Sequence, residues 1–214
     1  METKKEEIVL YIYHMNKAVP APEEKNRPGA AGQREQQLSS AFLARAASHY
    51  AAQHCPAGSA APPEGSLPSC WYTRKGSHGK PYFPDFPWLH FSVSHSGEYW
   101  ACAMAPTEVG LDLQIHTKGR RERISARFFH PQENEYLRSC NYRDFFDVWA
   151  AKESYVKYTG SGIGEGFAAF TAATPTALAR EINGVRLKVI PFRPDYSLCL
   201  CAPCIGNITI RYEV

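Results

Sequence analysis

The sequence predicts an α+β protein made of two similar α/β subdomains packed side by side as a pseudo-dimer. Three observations carry this. Both halves read as a strand, then helical material, then closely spaced strands. The connections between strands are short, which favours antiparallel pairing over a doubly wound parallel sheet. Neither a G-x-G-x-x-G loop nor a Walker sequence, the usual companions of such a parallel sheet, is present. No repeat of residue identity relates the two halves.

Residues 8–14 are β-branched and aromatic and predict an opening strand. Residues 19–32 hold prolines, glycines and mixed charges and read as a loop. Leu38, Phe42, Ala46 and Tyr50 recur at helical spacing and predict an amphipathic helix over 33–53. Residues 54–69, rich in proline, glycine and serine, read as an exposed connection. Strands are expected at 70–73, 89–94, 99–105 and 109–116, with a hairpin turn at Ser96-Gly97-Glu98. Pro106-Thr107-Glu108 divides the chain into subdomains 1–105 and 106–214. A helical region covers 120–160, broken near Pro131 and Asn141. Strands are expected again at 167–173, 185–190, 196–202 and 207–214, the last with Ile208, Ile210, Tyr212 and Val214 on one face.

Composition narrows the class. A hydrophobic fraction of 44% and a charged fraction of 21% suit a globular chain that buries a core. A net charge of +3 is too slight for a nucleic-acid face, yet it suits a site that receives phosphates or an acidic partner. No apolar run approaches the roughly 18 residues of a membrane span. The first residues lack the apolar stretch of a secretory signal, and seven cysteines without framework spacing read as reduced thiols, so a cytoplasmic location is expected. Asn207-Ile-Thr209 is a glycosylation sequon that carries little weight without a secretory route.

Four segments hold candidate chemistry. In residues 141–160, Phe145, Trp149 and Val156 form an apolar stripe; Phe146, Ala150, Glu153 and Lys157 form an adjacent line. Glu153 and Lys157 are therefore either an ordinary surface pair or one side of a site. In Val109-Gly110-Leu111-Asp112-Leu113-Gln114, strand alternation turns Asp112 and Gln114 away from the leucines. Asp112 is either a half-exposed acid on an edge strand or a carboxylate whose burial a hard cation such as Mg²⁺ offsets. Ser94-His95-Ser96 lacks the oriented acid and strained turn of a serine hydrolase, so a polar hairpin competes with any nucleophile reading. Gly79-Lys80-Pro81 presents one cation from a loop.

Taken in order, GKP (79–81), FSVSHSG (91–97), VGLDLQ (109–114), RFF…E (127–133) and WAAKESYVK (149–157) resemble the larger, surfactin-synthetase-activating (Sfp-type) class of 4′-phosphopantetheinyl transferases. The resemblance runs over about residues 80–162. It implies that family's fold, with coenzyme A nucleotide contacts in the first subdomain and the metal-binding strand and W-x-x-K-E helix in the second. It also implies transfer of the phosphopantetheine arm of coenzyme A to a serine of an apo acyl or peptidyl carrier protein, releasing adenosine 3′,5′-bisphosphate. Asp112 and Glu153 match the residues that bind Mg²⁺ (or Mn²⁺) and bridge it to the pyrophosphate, with Glu153 also placed to take the serine proton. Lys157 matches a pyrophosphate contact, His95 the 3′-phosphate contact with Ser94 beside it, and Lys80 a nucleotide contact. Lys152 is expected to meet a phosphate or to face solvent, and Trp149 to anchor its helix.

Many members carry a second acid where this chain has Gln114, whose amide oxygen can still coordinate or orient a metal-bound water but adds no charge, so a workable but weaker metal site is expected. Arg27 and Arg34 are candidates for the 3′-phosphate. A carrier is expected to dock near Phe128, Phe129 and Tyr136, with core packing as the competing role for these residues. The resemblance implies a monomer with internal pseudo-two-fold symmetry and no nucleic-acid or membrane partner. Competing readings are a relative that binds carriers without catalysis, another Mg²⁺-dependent phosphotransferase or nuclease, and a zinc site at Cys199, Cys201 and Cys204, against which buried free thiols stand.

Overall fold

The computed structural model describes residues 7–16, 30–59, 70–162 and 166–213, and it is a layered α+β structure. Two four-stranded sheets lie face to face. The first contains β1 (Glu7–His14), β4 (His90–Ser96), β5 (Tyr99–Ala105) and β10 (Asn207–Glu213) in the order β10-β1-β5-β4. The second contains β6 (Gly110–Ile115), β7 (Glu181–Ile182), β8 (Val185–Val189) and β9 (Tyr196–Ala202) in the order β6-β9-β8-β7. A small hairpin, β2 (Arg74–Lys75) with β3 (Pro81–Tyr82), presents the loop that ends in Lys80.

Strand alternation makes the layers. The central strands β1 and β5 are buried throughout apart from the ends of β1, because both of their faces are covered. On one face Tyr11, Tyr13 and Trp100 pack beneath Phe42, Ala46 and Tyr50 of α1 (Ala30–His54). On the other, Ile8, Leu10, Ile12 and the small Ala101 and Ala103 meet Leu111, Leu113, Leu198 and Leu200 of the second sheet. The far face of the second sheet, with Cys199, Cys201 and Leu187, is covered by Ala150 and Ala151 of α4 (Phe145–Thr159). The opposite side of α4 packs against α2 (Arg121–Phe128) and α3 (Pro131–Ser139) through Phe129, Tyr136, Leu137 and Phe145. This helix is thus buried on two sides, and the site lies along its seam with β6.

Several sequence expectations are corrected. Residues 70–73 are no strand: Trp71 is buried, and its indole N–H donates to Ser48 of α1 at 2.7 Å, so the chain bends into the core there. Residues 167–173 form a 3-10 turn at Phe167–Ala169, because Phe167 turns into the aromatic cluster around Trp149. The first helix starts at Ala30 and contains Gly32. The last strand pairs in parallel with β1, Ile208 opposite Ile8, so the chain returns to the first sheet instead of ending in the second. The expected loop at 19–32 falls largely, and the connection at 60–69 and Val214 wholly, outside the described residues. No helix among the described residues is long and apolar enough to cross a membrane.

Candidate active site

Gly110 explains how β6 and α4 come together. A Cβ at this position would sit 2.0 Å from the Ser154 carbonyl oxygen and 2.6 Å from the Tyr158 amide nitrogen. Only glycine lets the strand press onto the helix backbone. Two residues on, Asp112 projects to the same face, opposite Cys199 in the β6–β9 register. Lys157, on the facing helix, reaches Asp112 Oδ1 with its ammonium at 2.7 Å. Ser94 of β4 donates its hydroxyl to the same oxygen at 2.9 Å. Asp112 Oδ2 is buried with no hydrogen-bond partner. Burial pushes the Asp112 carboxyl above the ordinary carboxylate range, against the pull of Lys157.

Glu153 lies one helical turn before Lys157. Its carboxyl is pushed up to about 7, first by burial and then by the charge of Asp112, with Lys157 opposing. It makes no hydrogen bond among the described residues. The charge of Asp112 raises Glu153, and Asp112 itself keeps one oxygen without a partner, so the two carboxylates are candidates to hold a cation. Among the described residues no cluster of three or more His, Cys, Asp or Glu could hold a metal on its own. Two carboxylates nevertheless fit Mg²⁺, which takes one or two of them and completes its octahedron with phosphate oxygens and water. Gln114 shares the strand face of Asp112, and its side-chain amide donates to the Ile115 carbonyl at 3.2 Å.

Glu153 and Lys157 form part of the wall of a cavity of about 330 Å³, together with Gly79, Lys80, Pro81 and Phe91. Segments recognised separately in the sequence therefore converge on one space. A larger hollow of about 670 Å³ opens against α1 beside Trp71, but among the described residues its lining carries no titratable group. Bond-making chemistry needs charged groups, which the smaller cavity supplies in Glu153, Lys157 and Lys80.

Other expected site residues are placed differently. Lys152 is fully buried: its ammonium bonds Glu133 and the Phe170 carbonyl, both at 2.7 Å, and lies 4.2 Å from the Phe170 ring centre. It neither meets a phosphate nor faces solvent, and burial draws its pKa down. Lys80 forms the cavity wall, yet its ammonium bonds Glu108 and the carbonyls of Val109 and Tyr158, the last near the C-terminus of α4. Hydrogen bonds from His90 and Lys80 hold Glu108 down at about 2. His95 points from the face of β4 opposite Ser94 and lies 2.7 Å from Glu35 of α1. Phe129 and Tyr136 are core residues, leaving Phe128 exposed. Trp149 packs in the aromatic cluster as expected. Arg27 and the side chain of Arg34 lie outside the described residues. Cys199 and Cys201 are buried free thiols, and Cys204 is an exposed one.

Two participants were given no role by the sequence, although Glu133 closes the RFF…E segment of the family resemblance. Glu133, fully buried, accepts from Lys152, from the Ala172 amide and from the His130 amide, so one carboxylate joins α3, α4 and the following loop. Its signal was the capping-box spacing from His130 across Pro131. Glu108 carried no periodic signal.

Comparison with known proteins bears on the same segments. Residues 108–201 match the model of the 4′-phosphopantetheinyl transferase superfamily, a span that contains Asp112, Gln114, Glu133, Glu153 and Lys157. The match takes in most of the second half of the chain. Similar proteins include a 4′-phosphopantetheinyl transferase of Bacillus subtilis, 36% identical over 90 residues that make up 40% of each chain. Another is the 4′-phosphopantetheinyl transferase gsp of Aneurinibacillus migulanus, 38% identical over 42% of this chain and 38% of that one. A third is the 4′-phosphopantetheinyl transferase HetI of Nostoc, 33% identical over 61% of this chain and 59% of that one. The chain thus spans about two fifths to three fifths of the length of these relatives. Lys80, Ser94 and His95 lie before the superfamily match.

Proposed function

We propose that the protein transfers the 4′-phosphopantetheine arm of coenzyme A to a serine hydroxyl of an apo acyl or peptidyl carrier protein, with release of adenosine 3′,5′-bisphosphate. The observation that carries this reading is the convergence of the Gly79–Pro81 loop, Phe91, Glu153 and Lys157 on one cavity, with Lys157 linking its wall to Asp112. Asp112 and Glu153 would hold Mg²⁺ or Mn²⁺, with Gln114 as a neutral neighbour. Bound there, the cation supplies charge neutralisation of the pyrophosphate and eases departure of the bisphosphate.

The protein's own groups account for the remaining steps. The carrier serine oxygen forms a bond to the β-phosphorus, and the bond from that phosphorus to the adenosine bisphosphate oxygen breaks. Glu153 accepts the serine proton, directly or through a water. Lys157 stands at the cavity wall to meet a pyrophosphate oxygen. His95 would take the 3′-phosphate after release from Glu35. The carrier would dock on α2, where Phe128 is exposed beneath the Arg127 guanidinium and Arg120 and Arg123 are exposed nearby. Such a basic surface suits an acidic partner.

Incubation with coenzyme A, Mg²⁺ and a panel of apo carriers, read by intact mass, tests the reading. At least one carrier should gain a phosphopantetheine, and Asp112→Ala and Glu153→Ala should each abolish the gain. Carriers that a known transferase modifies but this protein leaves unchanged would overturn it.

A further inference from the structure

The two sheets meet at their edges through three serines. β4 is the edge strand of the first sheet and β6 the edge strand of the second. No β-ladder joins them among the described residues. Instead Ser92, Ser94 and Ser96, alternate residues on one face of β4, accept the amide N–H groups of Leu111, Leu113 and Ile115 at 2.9, 3.0 and 3.0 Å. The shared two-residue spacing sets the register of one sheet against the other.

The middle rung differs from its neighbours. Besides the Leu113 amide, the Ser94 oxygen accepts from the Lys157 ammonium at 2.9 Å. Its single proton goes to Asp112 Oδ1 at 2.9 Å, the Leu113 carbonyl lying farther off at 3.5 Å. A hydroxyl has one proton and two lone pairs, and all three are in use. Ser94 is buried and has no donor left for a phosphate oxygen of coenzyme A. It does hold one oxygen of a carboxylate whose other oxygen has no partner.

We infer that Ser94 is a positioning residue: its hydroxyl, carried by the first sheet, orients the Asp112 carboxylate of the second so that the unpartnered oxygen is free for the cation. Partners that orient a ligating carboxylate this way are worth about 10–100-fold in metal affinity. The inference rests on the proposed metal role of Asp112. It replaces the direct coenzyme contact that the family resemblance implied for Ser94.

Mn²⁺ binding to the protein without coenzyme or carrier, followed by electron paramagnetic resonance, is the test. Ser94→Ala should weaken Mn²⁺ binding about 10–100-fold, whereas Ser96→Ala, which removes an equivalent rung away from Asp112, should change it less than about twofold. Ser94→Thr, which keeps the hydroxyl, should restore most of the affinity and serves as the informative variant if Ser94→Ala folds poorly. The KM for coenzyme A at saturating Mg²⁺ should stay within about twofold in Ser94→Thr and Ser94→Ala. A raised KM with unchanged Mn²⁺ affinity would overturn the inference in favour of a coenzyme contact. Equal losses in Ser94→Ala and Ser96→Ala would reduce Ser94 to a fold residue. Should the parent protein bind no Mn²⁺, this inference and the metal reading both fall. If it binds Mn²⁺ but modifies no carrier, only the transfer reading falls.

Discussion

Glu153 sits where three influences meet, and their signs make it testable. Its carboxyl stands at about 7 in the fold against an ordinary 4.5, raised by burial and by Asp112. The fold therefore favours the protonated form. The contribution is intact below about pH 4.5 and is lost as pH rises through about 7. In metal-free protein, Glu153→Gln should leave the melting temperature near that of the parent at pH 5 and raise it by about 2–4 °C at pH 8. The same difference at both pH values would count against the raised carboxyl. Gln114 tests the neighbouring position. If it contacts the cation, Gln114→Glu adds a negative charge and should lower the Mg²⁺ concentration for half-maximal activity; an unchanged half-saturation would argue that Gln114 stands apart. The acid-and-lysine spacing was legible in the sequence. The raised carboxyl was not, because it depends on how much water the fold removes.

Helix α4 is amphipathic in an unusual sense, since both of its sides are buried and its polar residues divide between them. Glu153 and Lys157 face the seam with β6, while Lys152 turns into the aromatic cluster to meet Glu133. Adjacent residues on a helix point about 100° apart, so one Lys-Glu dipeptide serves two environments. Lys152→Met should cost about 3–5 kcal/mol by leaving Glu133 buried and unpaired. Chemical denaturation measures this, and the KM for coenzyme A of the surviving folded fraction should be unchanged. Gly110→Ala should be comparably severe, about 3 kcal/mol or more, because no side chain can yield where a backbone carbonyl stands 2.0 Å away. Retention of parent stability would show that β6 and α4 separate more easily than their packing implies. The G-x-D spacing was readable in the sequence, but the reason for its glycine is the helix backbone opposite.

At the scale of the whole molecule, the C-terminal strand decides the architecture. Strand β10 lies beside β1 at the edge of the first sheet, and Thr209 bonds Glu7, which His54 of α1 also engages. The second sheet presents Leu111, Leu113, Leu198 and Leu200 to the first. A fragment of residues 106–214 would expose that face and lose the partner of its last strand, so it should remain unfolded by circular dichroism and amide dispersion. The whole chain should unfold in a single transition with urea. A well-dispersed fragment spectrum would refute the mutual dependence. The period-two pattern of β10 was plain in the sequence, whereas its partner was not, because alternation marks an apolar face without naming what covers it.

By itself the sequence determined most helices and strands, the glycine and aspartate of β6, and the glutamate and lysine of α4, since local periodicity and short motifs report on backbone conformation and facing. Only the tertiary structure decided that β10 joins β1, that Lys152 pairs with Glu133 in the core, and that Ser94 holds Asp112. Each of these joins groups that no local pattern links. Their geometry follows from which faces bury together and how much water is excluded, and that packing brings a helical acid-and-lysine pair up to the Asp112 carboxylate.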